Sequence, residues 1–235
     1  MTTIPIEDLV RLPVGSFTMP EDAERLPGQQ IVVTAFLIRH PRGVFLFDTG
    51  IGHHPDADRI YSPVRRPLDE LLAGHGLGRS DVRLIANCHL HVDHGGGNHL
   101  FPGTPIFAQK SEHDAAYAED YTATDQVADF PDARFELLDG EADPLPGIRV
   151  VPTPGHVPGH QSLVVETKRG RVILAGQAFN SASDFAVAHH ANLLDRQGER
   201  HGSYPEWIGR FHQFDPWRVL FAHDLAIWER PGPAT

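Results

Sequence analysis

Three imidazoles and a carboxylate fall within six residues in His89-Leu90-His91-Val92-Asp93-His94, and Gly95-Gly96-Gly97 follow at once. Packing alone gives no reason to concentrate metal-competent groups in this way. The preceding run, residues 82–88, reads as a short buried strand. The cluster therefore sits where a strand ends and a glycine turn begins, a common place for a reactive site on a rigid scaffold. His89 and His91 are two apart, so extended backbone projects both to one side, where they can grip one ion. Asp93 and His94, turned away by the loop, face a second position.

The pattern resembles the signature of the metallo-β-lactamase superfamily, His-x-His-x-Asp-His. Three other blocks follow the same resemblance in the family's order. Phe45-Leu46-Phe47-Asp48-Thr49-Gly50 matches an early strand and turn whose aspartate supports the site from behind. Thr153-Pro154-Gly155-His156-Val157-Pro158-Gly159-His160-Gln161-Ser162 matches the block whose first histidine, here His156, completes the first metal position. Phe221-Ala222-His223-Asp224 matches the block whose histidine, here His223, completes the second. The resemblance implies a four-layer αββα sandwich of two mixed β-sheets. Composition and periodicity by themselves imply α/β with two helix-bearing halves.

Length and charge narrow the function class. A chain of 235 residues is most simply one domain, residues 1–235, with room for a real core. Its net charge of −11 argues against a nucleic-acid partner and disfavours a polyanionic substrate. The lone Cys88 excludes an internal disulfide and points to a reducing compartment; it reads as small apolar packing at a strand end rather than as a ligand. The N-terminus lacks the basic start and apolar run of a signal peptide. No run approaches the roughly 20 apolar residues needed to cross a bilayer. The expectation is a cytoplasmic monomer or homodimer acting on a small molecule, with no membrane partner.

Turn residues punctuate the remaining pattern. Residues 31–38 and 44–47 are β-rich runs joined around Pro41-Arg42-Gly43. Residues 67–72 start a helix with proline in its first turn, ending near Gly74 to Gly78. Strands are expected at 105–108, 134–138, 148–151, 162–166, 171–175 and 219–221. Helices are expected at 110–119 and 204–214, the latter with Trp207, Ile208 and Phe211 on one face. His189, His190 and His201 are expected to be solvated or in a lid, in and beside the polar segment 192–202. His53 and His54 either approach the pocket mouth or sit in an exposed loop. Phe17, Met19, Tyr61 and Phe101 read either as core or as the wall of an acyl-chain groove.

The resemblance implies that His89, His91 and His156 hold one Zn2+ with a fourth position left to water, the open arrangement of a catalytic zinc. Such an ion lowers the pKa of its water from about 15.7 toward about 7. Asp93, His94 and His223 are then the ligands of a second ion, and His160 gives supporting hydrogen bonds. One position departs from the family. Residues 171–176 lead to Gln177 where an aspartate bridges the two metals. A neutral amide offsets less of the repulsion between two cations, so one ion is expected tightly bound and a second more weakly, with other divalent metals also able to serve. Asp184, seven residues on, is the less favoured substitute.

The Thr153 to Ser162 block, the compact glycine-tailed motif and His223-Asp224 point within the superfamily to the N-acyl homoserine lactonases, quorum-quenching enzymes. The resemblance implies attack of metal-bound hydroxide on a lactone carbonyl, with Asp93 and Asn180 as catalytic candidates. The subgroup often has a tyrosine where this chain has Asn180, which donates a hydrogen bond but no acidic proton. Other readings keep the hydrolase with another lactone, a glyoxalase II-like thioester or a β-lactam, or take the chain as a weakly active metal- or ligand-binding relative.

Overall fold

Strand alternation builds the layers. The computed structural model describes residues 2–118, 123–199 and 202–231. Among them one sheet contains β1 (Leu9–Thr18), β2 (Gln30–His40), β3 (Gly43–Phe47), β4 (Val64–Arg65), β5 (Val82–Ala86), β6 (Pro105–Gln109) and β7 (Arg134–Leu138), in the order β4-β1-β2-β3-β5-β6-β7. The other contains β8 (Ala142–Leu145), β9 (Ile148–Pro152), β10 (Gln161–Thr167), β11 (Gly170–Leu174), β12 (Arg218–Leu220) and β13 (Trp228–Glu229), in the order β13-β12-β11-β10-β9-β8. Both are mixed: β3, β5, β6 and β7 run parallel, as do β11 and β12, while the other pairs are antiparallel.

Successive residues on each strand serve opposite faces. On β3, Phe45 and Phe47 join Phe36 and Ile38 of β2 in the layer between the sheets, against Ile148, Val150, Leu163, Val165, Val172 and Leu174. Their neighbours Val44 and Leu46 face outward onto Leu68, Leu71 and Leu72 of α2 (Leu68–Gly74). In the second sheet Val164 and Ile173 face outward onto Phe185 of α5 (Ala182–Arg196) and Phe211 of α6 (Ile208–Phe214). The result is a four-layer αββα sandwich. Shorter helices α1 (Pro55–Tyr61), α3 (Lys110–Ala115) and α4 (Thr124–Val127) lie in the connections; labels α1 to α6 follow chain order. No helix among the described residues is long and apolar enough to cross a membrane.

Several boundaries differ from the sequence expectation for local reasons. Pro67 is the N-cap of α2 rather than a first-turn residue. Helix α3 stops at Ala115, and Glu119 lies outside the described residues. Helix α6 starts at Ile208, leaving Trp207 at its N-cap. Two elements give weak sequence signals. Strand β1 carries Pro13 and Gly15 at a register shift, which breaks its alternation. Helix α5 occupies much of the stretch read as polar. Its Ser181 cap accepts from the Asp184 amide at 3.1 Å, and its buried face is Phe185, Ala188, Ala191 and Asn192, in which small and polar residues dilute the apolar stripe. His189 is correspondingly not solvated: its ring stacks between Phe185 and His212. His190 is exposed, and His201 lies outside the described residues.

Truncating the layer between the sheets tests this architecture. Phe45→Ala is expected to cost about 3–5 kcal/mol. Urea unfolding should show a lower midpoint with an unchanged slope.

Candidate metal centre

The inner strands β3, β5, β9, β11 and β12 all end near one edge of the sandwich, and each is followed by a residue of the cluster. After β3 the chain turns at Asp48, whose φ of +68° lies in the left-handed region that aspartate tolerates. Its Oδ1 accepts from the Cys88 amide at 2.8 Å and its Oδ2 from His94 Nδ1 at 3.0 Å. After β5 the chain passes Cys88 and His89 and then coils, with the amides of His94 and Gly95 both donating to the His91 carbonyl. That coil reverses the direction of Asp93 and His94 relative to His89 and His91. The glycines permit it: a Cβ at Gly96 would lie 2.0 Å from the Gly52 nitrogen.

His89, His91 and His156 form the first group. One ring nitrogen from each lies within 4.8 Å of the others, and His91 Nδ1 is 3.1 Å from His156 Nε2. His89 is 1% exposed and its Nε2 is buried without a hydrogen-bond partner. Burial, reinforced by the surrounding imidazoles, pushes His89 well below the ordinary histidine range. Burial with His91 and His94 pushes His156 down to about 4. At neutral pH these rings are uncharged and present lone pairs to one another. A buried acceptor without a partner is costly, as at His89 Nε2, and a divalent cation between the three rings would satisfy it. The residues fit a metal.

Asp93, His94 and His223 form the second group. His94 Nε2 and His223 Nε2 are 3.1 Å apart, and Asp93 Oδ2 lies 3.4 Å from the first and 3.6 Å from the second. Each histidine is tied down through its other nitrogen. His223 Nδ1 donates to the Val32 carbonyl at 2.9 Å, which leaves Nε2 as the lone-pair atom. Burial opposes charge on His94, but Asp93 and Asp48 outweigh it and hold the imidazole up at about 9. Burial also opposes charge on Asp93, yet His94 and His223 keep its carboxyl below the ordinary carboxylate range.

Gln177 follows β11 through Gly176, where φ is +58° and a Cβ would lie 2.4 Å from the Cys88 Cβ. Its amide N–H donates to His160 Nε2 at 3.0 Å, and its side chain hydrogen-bonds His94 and, at 3.5 Å, Asn180 Oδ1. His160 Nδ1 donates to Thr153 Oγ1 at 2.8 Å. Both His160 nitrogens are thus engaged, which suits a supporting role. Cys88 is buried in the layer between the sheets, and burial with Asp48 pushes its thiol up. It packs as a neutral group. Asp184 sits in the first turn of α5, where its amide donates to the Ser181 cap, and its carboxylate lies 3.8 Å from Arg25.

The cluster opens onto two cavities that share His156 and Gln177. One, of about 500 Å3, is walled by Phe17, Met19, Ile51 and Tyr61 beside His91 and Asp93. The other, of about 1010 Å3, is walled by Phe179, Val187 and Trp207 beside Asn180. Phe101 lines neither; it is 3% exposed and packs in the outer core with Leu68. His53 and His54 line neither cavity, and His53 is exposed beside Asp58.

Residues 29–227 match the metallo-β-lactamase superfamily. The chain belongs to that superfamily. Among curated relatives of this metallo-β-lactamase chain, an N-acyl homoserine lactonase of Bacillus cereus is 32% identical over 180 residues, covering 71% of this chain and 69% of the relative. Another, from Bacillus thuringiensis, is 38% identical over 132 residues, covering 55% of this chain and 48% of the relative. The chain is also similar to the crystal structure of a B. thuringiensis AiiA variant with N-decanoyl-L-homoserine bound at its active site, with a TM-score of 0.75, 25% identity and 95% of each chain covered. A 1.4 Å structure of an N-acyl homoserine lactone hydrolase, with the product N-hexanoyl-L-homoserine at its catalytic metal centre, aligns at TM-score 0.74 and 25% identity over 95% of each chain.

One contact escaped the sequence. Trp207, read there as a helix-face residue, donates its indole N–H to the Pro154 carbonyl at 2.7 Å, two residues before His156. It anchors the exposed loop that carries that imidazole, and only the tertiary fold reveals it. Trp207→Phe keeps a ring against Phe179 and Phe211 but removes the donor. A lost hydrogen bond of about 1 kcal/mol predicts roughly fivefold weaker binding of the first ion. Chelator competition should show that loss while the melting temperature of metal-free protein stays within a degree or two; equal affinity in the two proteins would refute the anchoring role.

Proposed function

We propose that this chain is a metal-dependent lactonase that opens N-acyl homoserine lactones. The observation that carries the reading is the trio of uncharged imidazoles, with the His89 Nε2 orphaned among them, at the mouth of an apolar cavity. The names of the relatives and the bound products of the aligned structures support the substrate. Residues 1–235 act as one domain in this reading, because both sheets contribute to the centre.

His89, His91 and His156 would hold the first ion, and a three-histidine set with a vacant direction suits Zn2+. Bound there, a divalent cation supplies Lewis acidity and an acidified water at neutral pH. Asp93, His94, His223 and Gln177 would hold a second ion more weakly. Asp93 is the carboxylate between His94 and His223, while Asp48 is committed behind His94. Gln177 adds no charge to the repulsion balance.

The protein's own groups account for orientation and proton movement. The acyl chain lies along Phe17, Met19, Ile51 and Tyr61, where burial of each methylene contributes about 0.8 kcal/mol. Asn180 Oδ1 accepts from Gln177, which leaves its amide N–H free to donate to the lactone carbonyl oxygen. Asp93, ionised at neutral pH, takes a proton from the attacking water and returns it to the alkoxide released when the ring C–O bond breaks.

Acid release from N-hexanoyl homoserine lactone, followed with a pH indicator, tests the reaction. Activity should vanish with a strong chelator and return with Zn2+. His91→Ala should lose the first ion and at least about a thousandfold in kcat/KM, in the range of losing an essential catalytic group; full activity in that variant would defeat the reading.

Gln177→Asp is the second test. The added carboxylate should raise metal content from near one toward two ions per chain and increase turnover. Unchanged metal content would remove Gln177 as the cause of a weak second site.

A further inference from the structure

We propose that Glu112 is a positioning residue for the first metal position, holding the Leu90 amide so that His89 and His91 meet His156 around one ion. The role rests on the proposed metal centre and is independent of the substrate on which that centre acts.

Strand order brings Glu112 to the motif. Strands β5 and β6 are parallel neighbours, with Ala86 opposite Phe107, so their ends lie side by side. Beyond β6 the chain passes from Gln109 into α3, and Glu112 falls in the first turn of that helix. Beyond β5 the chain enters Asn87, Cys88 and the motif. Glu112 Oε1 accepts from the Leu90 amide at 2.8 Å. Glu112 is 1% exposed, so the bond is made away from water.

Leu90 is the single residue between His89 and His91, and α3 holds it twice. Its amide goes to Glu112, and its buried side chain packs with Ala116 at the C-cap of the same helix, beside Val127 and Ala128. Fixing Leu90 fixes the peptide planes on either side of it. The directions in which the two imidazoles leave the backbone are fixed with them.

The chain before the ligands has other supports. Asp48 takes the Cys88 amide. Gln161 donates its side-chain Nε2 to the Asn87 carbonyl and its backbone amide to the Cys88 carbonyl, both at 2.8 Å. Those bonds end at Cys88, before the first ligand histidine, and Glu112 supplies the tie between the two. The same turn of α3 also supports the loop of His156. A Cβ at Gly159 would lie 2.4 Å from both the nitrogen and the Cβ of Glu112, so glycine lets that loop rest directly on the helix. His89 and His91 are thus referred to Glu112 through a hydrogen bond, and His156 through close contact. The side chain sets the geometry from behind and leaves the imidazole lone pairs to the ion.

Two conservative variants separate reach from charge. Glu112→Gln keeps the side-chain length and an acceptor oxygen but removes any charge. Glu112→Asp keeps the carboxyl but is one methylene shorter, which draws the oxygen back from Leu90. Zn2+ affinity of the full chain is measured by chelator competition, and Co2+ in place of Zn2+ gives visible d–d bands that report the ligand field. Glu112→Asp should weaken the first ion about 10–100-fold, the range for losing a group that orients a metal ligand, and should shift the Co2+ bands. Glu112→Gln should keep the affinity and the bands of the unsubstituted chain. Unchanged affinity in Glu112→Asp, with only a lower melting temperature of the metal-free protein, would make Glu112 a fold residue and overturn the proposal. An equal loss in both variants would overturn it too, since charge rather than reach would then matter. Failure of the unsubstituted chain to bind either metal would overturn the metal centre and this role with it.

Discussion

The Asp48 carboxylate is the tie on which the centre depends. It sits in a left-handed turn at the end of β3 and reaches across to the end of the parallel strand β5. One oxygen takes the Cys88 amide and the other takes His94. A single side chain thereby locks two strand ends together and orients the His94 ring. Because it lies beneath the motif rather than among the lone pairs, it can hold the geometry without competing for a cation. The glycines that follow the motif let the Gly50 to Gly52 turn approach closely enough for this packing.

Around that tie the electrostatics divide the imidazoles into two kinds. His89 and His156 are desolvated among other histidines and stay neutral, ready as donors to a cation. His94 is held between two carboxylates and retains a proton far more strongly. In the proposed two-ion reading, the proton held on His94 and the neutral amide of Gln177 would both act against an ion entering there.

The second sheet contributes control rather than the motif itself. Its loops deliver His156, Gln177 and His223, and helix α6 reaches back through Trp207 to the Pro154 carbonyl. The wall of the larger cavity and the loop that carries His156 are thus joined by a hydrogen bond.

How much of this was legible beforehand depends on the range of the contacts. The glycine-tailed motif announced itself because its four polar groups are sequence neighbours, and the resemblance carried His156, Gln177 and His223 to their positions. Strands such as β3 and β10 were readable because β-branched and aromatic residues run between turn residues. Strand β1, interrupted by Pro13 and Gly15, and helix α5, whose buried face is largely alanine and asparagine, lack such periodicity and take their form from what they pack against. The same holds for Phe101, which went to the core while Phe17, Met19 and Tyr61 went to a cavity, although all four are apolar side chains of similar character. The sequence by itself determined which groups could hold a cation and that position 177 carries a neutral amide, since both are matters of residue identity. Only the tertiary structure decided the paired cavities, the Trp207 anchor and which nitrogens of His94 and His223 are tied to Asp48 and the Val32 carbonyl, because those depend on surfaces and hydrogen-bond partners brought together from distant parts of the chain.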